Sequence, residues 1–183
     1  LPRLSQLHSS QKPERFNQTL NWALRITVIF GLPATLALLV LARPLTVSLF
    51  QYGALTEHDV TMTVLSLRAY ALGVLAFMWQ KVLAPGYFSR QDMKTPVRFA
   101  LIAMAANMVM NLLFWFPLQH TGLALATSLA AFVHAGLLLR GLRRAEVFHF
   151  NGAWLAVILR VLFANGVLLL ALWWVADIVV WVE

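Results

Sequence analysis

Five long apolar segments restrict the folds open to this chain more than any other feature of its sequence. They cover residues 22–42 (with an extension toward 50), 60–88, 99–118, 122–139 and 154–180. A helix needs roughly 20 mainly apolar residues to cross a bilayer, and each segment meets that length within tolerance. Helices are the expected structure, because unpaired backbone groups are costly in lipid and the segments are too long for barrel strands.

The composition agrees with a membrane solvent. Of the 183 residues, 61% are hydrophobic and only 11% are charged, whereas soluble domains carry about 25% charged residues. The alternative, a soluble α-helical protein, would need amphipathic helices with polar outer faces. We therefore predict an all-α integral membrane protein with transmembrane helices at about 20–50, 57–88, 95–118, 121–143 and 152–181.

Three local signals indicate where these helices begin and end. The sequence TEHD fits a capping start at Thr56, with Asp59 three residues later. Thr95-Pro96 predicts an N-cap followed by the first helical residue of the third helix. Pro85-Gly86 predicts a loosened end to the second helix.

Basic residues concentrate on alternate connections between the segments. Nine of them lie in three such regions: Arg3, Lys12, Arg15, Arg90, Lys94, Arg98, Arg140, Arg143 and Arg144. The other connections carry Glu57 and Asp59, and Arg43 alone runs against the trend. The positive-inside rule then places residue 1 and loops 89–98 and 140–151 in the cytoplasm. Loops 51–59 and 118–121 fall on the opposite side.

Several classes of function lack the residues they need. The chain has no cysteine, which excludes disulfides and thiolate metal sites. It contains no HExxH, GxSxG or P-loop motif, so we predict no enzyme, catalytic residue, cofactor or metal site. The pI near 10.9 suggests nucleic acid, but the basic residues lie in short loops and form no single patch, so we predict no such partner.

Two cations inside the second segment are candidate site residues. Charged side chains within a membrane segment are costly and are usually functional. Lys81 shares a helical stripe with Tyr70, Gly73 and Phe77 that is able to face a cavity; the alternative is that Lys81 extends its ammonium to the headgroups. Arg68 has either a buried partner or an interface position.

Uncharged polar residues in the apolar segments give further candidates. Asn107 and Asn111 are four residues apart and share one helix face, where they either bond to neighbouring helices or line a polar path. His134 is either a packing histidine or a proton relay. Arg25 is expected to extend toward the headgroups, and Trp154 to anchor at the interface.

Three stretches of sequence resemble one known family. They are KVLAPGYFSRQDMKTPVR at 81–98, LTVSLFQYGALTEHD at 45–59 and LPRLS at 1–5, and they resemble the MurJ/MviN family. These are lipid II flippases of the multidrug/oligosaccharidyl-lipid/polysaccharide exporter superfamily. The resemblance covers essentially the whole chain. It implies fourteen helices in two lobes, of which residues 1–183 would be a partial C-terminal lobe, helices nine to thirteen.

The resemblance also implies a function. The parent protein would move lipid II, the undecaprenyl-pyrophosphate-linked muropeptide, from the inner to the outer leaflet of the bacterial cytoplasmic membrane by alternating access. Its partners would be lipid II, membrane lipids and the N-terminal lobe, where most pyrophosphate-binding cations of the family lie. Loops 51–59 and 118–121 would then be periplasmic. The alternatives are another polysaccharide-lipid or drug exporter of the superfamily, or a non-transporting scaffold in cell-wall assembly.

The turn between the second and third segments supplies the remaining candidates. Arg90, Asp92 and Lys94 form a charged cluster at the cytoplasmic side. In a two-lobed transporter they would either pair across a closed inner gate or set the topology of the turn. We therefore include all three with Lys81, Arg68, Asn107 and Asn111 as substrate or gating candidates.

Overall fold

The computed structural model describes residues 13–50, 56–150 and 152–180, and every regular element in these ranges is helical. The helices are α1 (Pro13–Phe50), α2 (Glu57–Phe88), α3 (Lys94–Arg144) and α4 (Ala153–Val180). The LPRLS stretch and most of QYGALT lie outside the described residues.

Five stretches of these helices are long and apolar enough to cross a membrane: Glu14–Phe50, Glu57–Phe88, Lys94–Leu118, His120–Arg144 and Ala153–Leu172. This confirms the predicted all-α membrane fold with five spans. The predicted helices at 95–118 and 121–143 correspond to the spans Lys94–Leu118 and His120–Arg144, and the residues that connect them are helical as well, so both spans belong to one element, α3. We call Lys94–Leu118 the first arm of α3 and His120–Arg144 its second arm.

The two arms of α3 form a hairpin. A Cβ added to Gly122 would contact the carbonyl oxygen of Phe114, although eight residues of straight helix span about 12 Å. Ala103 and Ala130 also line one cleft, which a straight helix would place far apart. Pro117 lies at the bend, where its ring and missing N–H disfavour continuation of a straight helix.

Helix α2 packs closely against the second arm of α3 through small residues. A Cβ on Gly73 would lie 2.7 Å from Ser128 Oγ and 3.0 Å from Ser128 Cα. The Ser128 hydroxyl donates a 2.6 Å hydrogen bond to the carbonyl of Ala69. Ala76 and Ala131 continue the buried contact. Such close approach is how helices associate in lipid, where apolar burial between helices provides little driving force.

The largest apolar core lies at the end of the bundle that carries the basic turns. It joins all four helices and the α3–α4 link: Phe16, Leu20, Leu24, Val28, Leu83, Tyr87, Leu138, Leu142, Phe148, Trp154 and Val161. Within it, the Tyr87 hydroxyl donates a 2.6 Å hydrogen bond to the carbonyl of Leu138. The core therefore fixes the inner ends of the helices relative to one another.

Two helices leave apolar faces uncovered. The first arm of α3 exposes Leu112 and Phe116, and α4 exposes Phe163 and Leu170. Among the helices described, α4 packs only against α1. These faces are suited to lipid or to other parts of a larger membrane protein.

The two basic turns share one helix-stop geometry. Gln91 and Glu146 both adopt a left-handed backbone, with φ of 58° and 55°. After α2, the Asp92 N–H donates to the carbonyl of Tyr87, and the Gln91 N–H to that of Phe88; the same pattern follows α3. This is the Schellman motif, which commonly uses glycine at the left-handed position.

The predicted start of α3 needs correction, whereas α2 ends at Phe88, as predicted, and continues through Pro85 and Gly86. Gly86 is buried in the bundle. The next helix begins at Lys94, with Met93 at the N-cap position. The capping side chain is that of Asp92, one residue earlier, whose Oδ1 accepts the Thr95 N–H at 3.0 Å, and not that of Thr95. The predicted start of α2 is confirmed, since Thr56 forms a reciprocal capping box with Asp59.

The contact at Gly73 predicts a sensitivity to one methyl group. We expect Gly73→Ala to lower the free energy of unfolding by about 1–3 kcal/mol, because overpacking forces neighbouring groups to shift. Thermal unfolding of the purified chain in detergent, followed by tryptophan fluorescence, measures the change.

The matched control is Gly136→Ala on the second arm of α3. A Cβ there meets nothing within 4 Å, and alanine is the better helix former by up to about 1 kcal/mol. We expect this variant to match or exceed the parent in stability. Equal stability of the two variants would contradict the close helix contact.

Candidate functional site

A polar cleft lies between α2 and the two arms of α3. It is an open cleft of about 250 Å³, mostly apolar at its surface, and is lined by Phe77, Gln80, Ala103, Met104, Asn107, Thr127, Ala130, Ala131 and His134. Four of these side chains are polar, although all nine belong to apolar spans. Such residues inside a membrane bundle are expected to bond to one another, to backbone or to something within the cleft.

The hydrogen bonds around the cleft use part of its polar capacity. Gln80 Nε2 donates to the carbonyl of Ala131 at 2.8 Å, and the Thr127 hydroxyl donates to that of Leu123 at 2.8 Å. Asn111 Nδ2 donates to Asn107 Oδ1 at 2.9 Å. His134 Nε2 and Asn111 Oδ1 are buried and have no hydrogen-bond partner among the described residues.

The sequence candidates distribute unevenly around this cleft. Asn107 lines it, and Asn111 bonds to Asn107 from one turn away, instead of bonding to a neighbouring helix as one interpretation held. Phe77 faces the cleft, but Gly73 packs against Ser128 on the second arm of α3 and does not line the cleft. Lys81 is exposed and does not line the cleft, so the predicted stripe does not act as one face.

Asp92 has a structural task in the turn between α2 and α3. Hydrogen bonds from the Thr95 side chain and the Thr95 backbone N–H lower the pKa of the Asp92 carboxyl, which keeps it ionised at neutral pH. Within the described ranges, no ion pair joins Asp92 to Arg90 or Lys94. Arg90 is half-buried and Lys94 is exposed, so both cations remain available to groups outside the turn.

Arg68 lies near the other end of α2, away from the cleft. Its Nε–H donates to the carbonyl of Leu39 on α1 at 3.1 Å. The sequence did not identify a partner for Arg68, and the structure shows that it is this backbone carbonyl. Arg43 of α1 lies at this end too, 3.8 Å from Glu57. Arg68 and Lys81, the two cations predicted as site residues in α2, therefore do not line the cleft at Asn107.

A buried asparagine, Asn21, joins α1 to α4 together with the half-buried Asn17, and sequence reasoning missed it. Asn21 is 1% exposed, and its Nδ2 donates to Asn17 Oδ1 and to the carbonyl of His149, both at 2.9 Å. Trp154 Nε1–H donates to Asn21 Oδ1 at 2.6 Å. The signal was present, because Asn17 and Asn21 show the same four-residue spacing as Asn107 and Asn111.

Aromatic and cationic side chains surround this junction. The Arg25 guanidinium lies 5.7 Å from the centroid of the Trp154 ring, and Phe150 contacts that ring edge to face at 5.3 Å. Arg143 lies 5.6 Å from the Phe150 ring. Trp154 is 8% exposed, so the predicted interface anchor is instead part of the core, and Arg25 packs against it.

These features define a class of protein. The chain has five apolar helical spans. Three of them, α2 and the two arms of α3, border a cleft with polar side chains, and broad apolar faces are left uncovered. Across the described residues, no group of three His, Asp or Glu side chains has a geometry for a metal ion. The chain is an α-helical, multi-span membrane protein whose polar groups line a cleft between helices, as in transporters.

Comparison with known proteins identifies the family. A family model described as lipid II flippase MurJ matches residues 1–183, and this chain therefore belongs to the lipid II flippase MurJ family. A probable lipid II flippase MurJ of Vibrio cholerae is 44% identical over 177 residues, which cover 97% of this chain. The counterpart in Haemophilus influenzae is 39% identical over 180 residues, and a lipid II flippase MurJ of Burkholderia cenocepacia is 34% identical over 176.

A solved structure agrees with the sequence relatives. It is described as lipid II flippase MurJ in an inward closed conformation, and it matches with a TM-score of 0.76 and 27% identity over 92% of this chain. The match covers 34% of that structure, and the chain likewise spans 34% of the Vibrio cholerae relative. This chain thus corresponds to about a third of the proteins it matches.

The junction at Asn21 generates a stability prediction. We expect Asn21→Ala to lower the free energy of unfolding by about 1–3 kcal/mol, because the buried Trp154 N–H loses its acceptor. A double-mutant cycle with Trp154→Phe, measured by thermal unfolding in detergent, isolates the bond itself. The two losses should be strongly non-additive.

Asn111→Ala provides the control for that cycle. Asn111 has the same residue type and the same four-residue bond to a second asparagine, but Trp154 does not bond to it. We expect its loss to add to that of Trp154→Phe. If the stability losses of Asn21→Ala and Trp154→Phe were also additive, their hydrogen bond would not stabilise the junction.

Proposed function

We propose that the complete protein containing this chain moves lipid II from the inner to the outer leaflet of the bacterial cytoplasmic membrane. The observation that carries the proposal is the family match over residues 1–183, together with 44% identity to a probable lipid II flippase. The three relatives named above are all described as lipid II flippases. This favours lipid II over the substrates of other exporters, and transport over a scaffold role.

The physical task sets the mechanism. A charged, sugar-bearing head must cross roughly 30 Å of hydrocarbon while its lipid tail stays in the bilayer. A water-filled cavity between two lobes lowers the cost of that crossing, and rocking of the lobes opens the cavity to each side in turn. No bond is made or broken, so the residues need to bind, shield and release the head rather than react with it.

In this proposal, the chain supplies most of the second lobe of a fourteen-helix transporter. Its exposed apolar faces on α4 and the first arm of α3 support a position against lipid and against the remaining helices. The basic turns at 89–98 and 140–151 face the cytoplasm, and residues 51–59 and 118–121 face the periplasm. The polar cleft with Asn107 and His134 would lie within this lobe.

The experiment that tests the function is a chimera. This chain replaces the matching third of the Vibrio cholerae relative, and lipid II flipping is measured in proteoliposomes. We expect the chimera to flip lipid II, whereas this chain alone does not, because one lobe cannot enclose the head. A chimera that inserts and folds but fails to flip would contradict the assignment, and full flipping by the chain alone would contradict the two-lobe mechanism.

The inner turn generates a separate prediction about gating. We propose that Arg90 and Lys94 pair with groups of the other lobe when the inner side is closed, while Asp92 only caps α3. In the chimera, Arg90→Glu should then impair flipping although insertion survives, because the new carboxylate would repel the acidic partner that Arg90 attracts. Asp92→Asn should flip normally, since asparagine caps helices as well as aspartate does.

The Asp92 pair of variants separates charge from capping. Asp92→Ala removes the cap and should cost about 1 kcal/mol of stability, measured by thermal unfolding, with flipping per folded molecule unchanged. Normal flipping by Arg90→Glu would remove the proposed gating role of that residue. Impaired flipping by well-folded Asp92→Asn would instead assign the gating charge to Asp92.

A further inference from the structure

Two arginines line a small cleft between α1 and α2, at the end of the bundle opposite the inner turns. The cleft encloses about 140 Å³, and its lining residues are Arg43, Val60, Thr61, Val64, Leu65 and Arg68. Neither the polar cleft at Asn107 nor the proposed inner gate includes any of them. The positive-inside bias accounts for arginines at the inner turns, but it disfavours arginines at this end.

Arg68 is held in place at this cleft. It lies eleven residues after the start of α2 at Glu57, which is about 16 Å along the helix. One of its five N–H donors is used by the carbonyl of Leu39. Arg68 is exposed, so the remaining donors are available to a ligand, and an arginine within a membrane span is usually retained for a functional contact.

Arg43 reaches the same cleft from α1 with only a weak counterion. Its Nη2 is 3.8 Å from Glu57 Oε2, and both side chains are largely exposed, at 67% and 74%. That separation exceeds the range of a hydrogen bond, and exposed ion pairs of this kind contribute little. Across the described residues, this is the one ion pair that either arginine of the cleft makes.

We propose that Arg43 and Arg68 bind the phosphate of a lipid headgroup at the outer face of the bundle. Guanidinium groups bind phosphate with paired, charge-assisted hydrogen bonds. The apolar side chains of Val60, Val64 and Leu65 on the same cleft are suited to the lipid attached to that phosphate. The inference rests on these residues alone and does not depend on the proposed transport activity.

The test measures lipid binding by the full 183-residue chain in a phosphate-free detergent. Native mass spectrometry follows titrations with two probes, phosphatidylglycerol and undecaprenyl diphosphate. Arg43→Gln and Arg68→Gln should each raise the dissociation constant of the bound lipid about tenfold, as expected for loss of a charged hydrogen bond. The probe that binds more tightly tells whether the source is a phosphodiester or a polyprenyl diphosphate.

Two further variants make the outcome decisive. Arg140→Gln, at the inner end, should leave this binding within about twofold of the parent. Glu57→Gln removes the competing carboxylate from Arg43, so it should tighten binding, opposite in sign to the arginine variants. Arg43 is exposed, and its link to α2 is the weak ion pair with Glu57, so its variant reports on the site even if Arg68→Gln folds poorly.

The double variant completes the test. If both arginines hold one phosphate, Arg43→Gln combined with Arg68→Gln should weaken binding by less than the product of the single effects. Unchanged binding of both probes in Arg43→Gln would overturn the proposal. So would an equal loss in Arg140→Gln, because binding would then follow net charge rather than this cleft.

Discussion

The close approach of α2 and the second arm of α3 is the contact on which the rest of this bundle depends. In lipid, apolar side chains gain little by leaving the solvent, so helices associate where small residues let their backbones meet. Gly73 and Ser128 provide that meeting point, and the hydroxyl of Ser128 adds a bond to Ala69. The polar cleft at Asn107 exists because the same two helices converge with the first arm of α3.

The spans and their number followed from the sequence, because apolar length is a direct requirement of the bilayer. The internal geometry of α3 did not. A proline between two apolar runs is compatible with a loop or with a bent helix, and only tertiary packing shows that helical backbone continues through Pro117. Similarly, TEHD identified the cap of α2, whereas Thr95 was predicted to cap α3 and the structure uses the side chain of Asp92 instead.

The candidate site was accessible from the sequence only in part. Asn107 was found because it interrupts an apolar run, and the same reasoning selected Lys81, which the structure places on an exposed face away from the cleft. Helical periodicity relates residues on one helix but does not say which face meets a neighbour. The hydrogen-bond partners of Asn21 could not be predicted for a related reason, since His149 and Trp154 lie more than 120 positions away from it along the chain.

The attachment of α4 has a mechanical consequence. Among its side chains whose burial is described, the buried ones, from Trp154 through Val161 to Asn165, lie in its first half, and beyond them Leu170 and Trp174 are exposed. The fifteen residues after Asn165 extend about 22 Å. A tilt of only about 10° at the attached half therefore displaces the far end by about 4 Å. Small rearrangements at the Asn21 junction are thus amplified at the opposite membrane surface without any change within the helix itself.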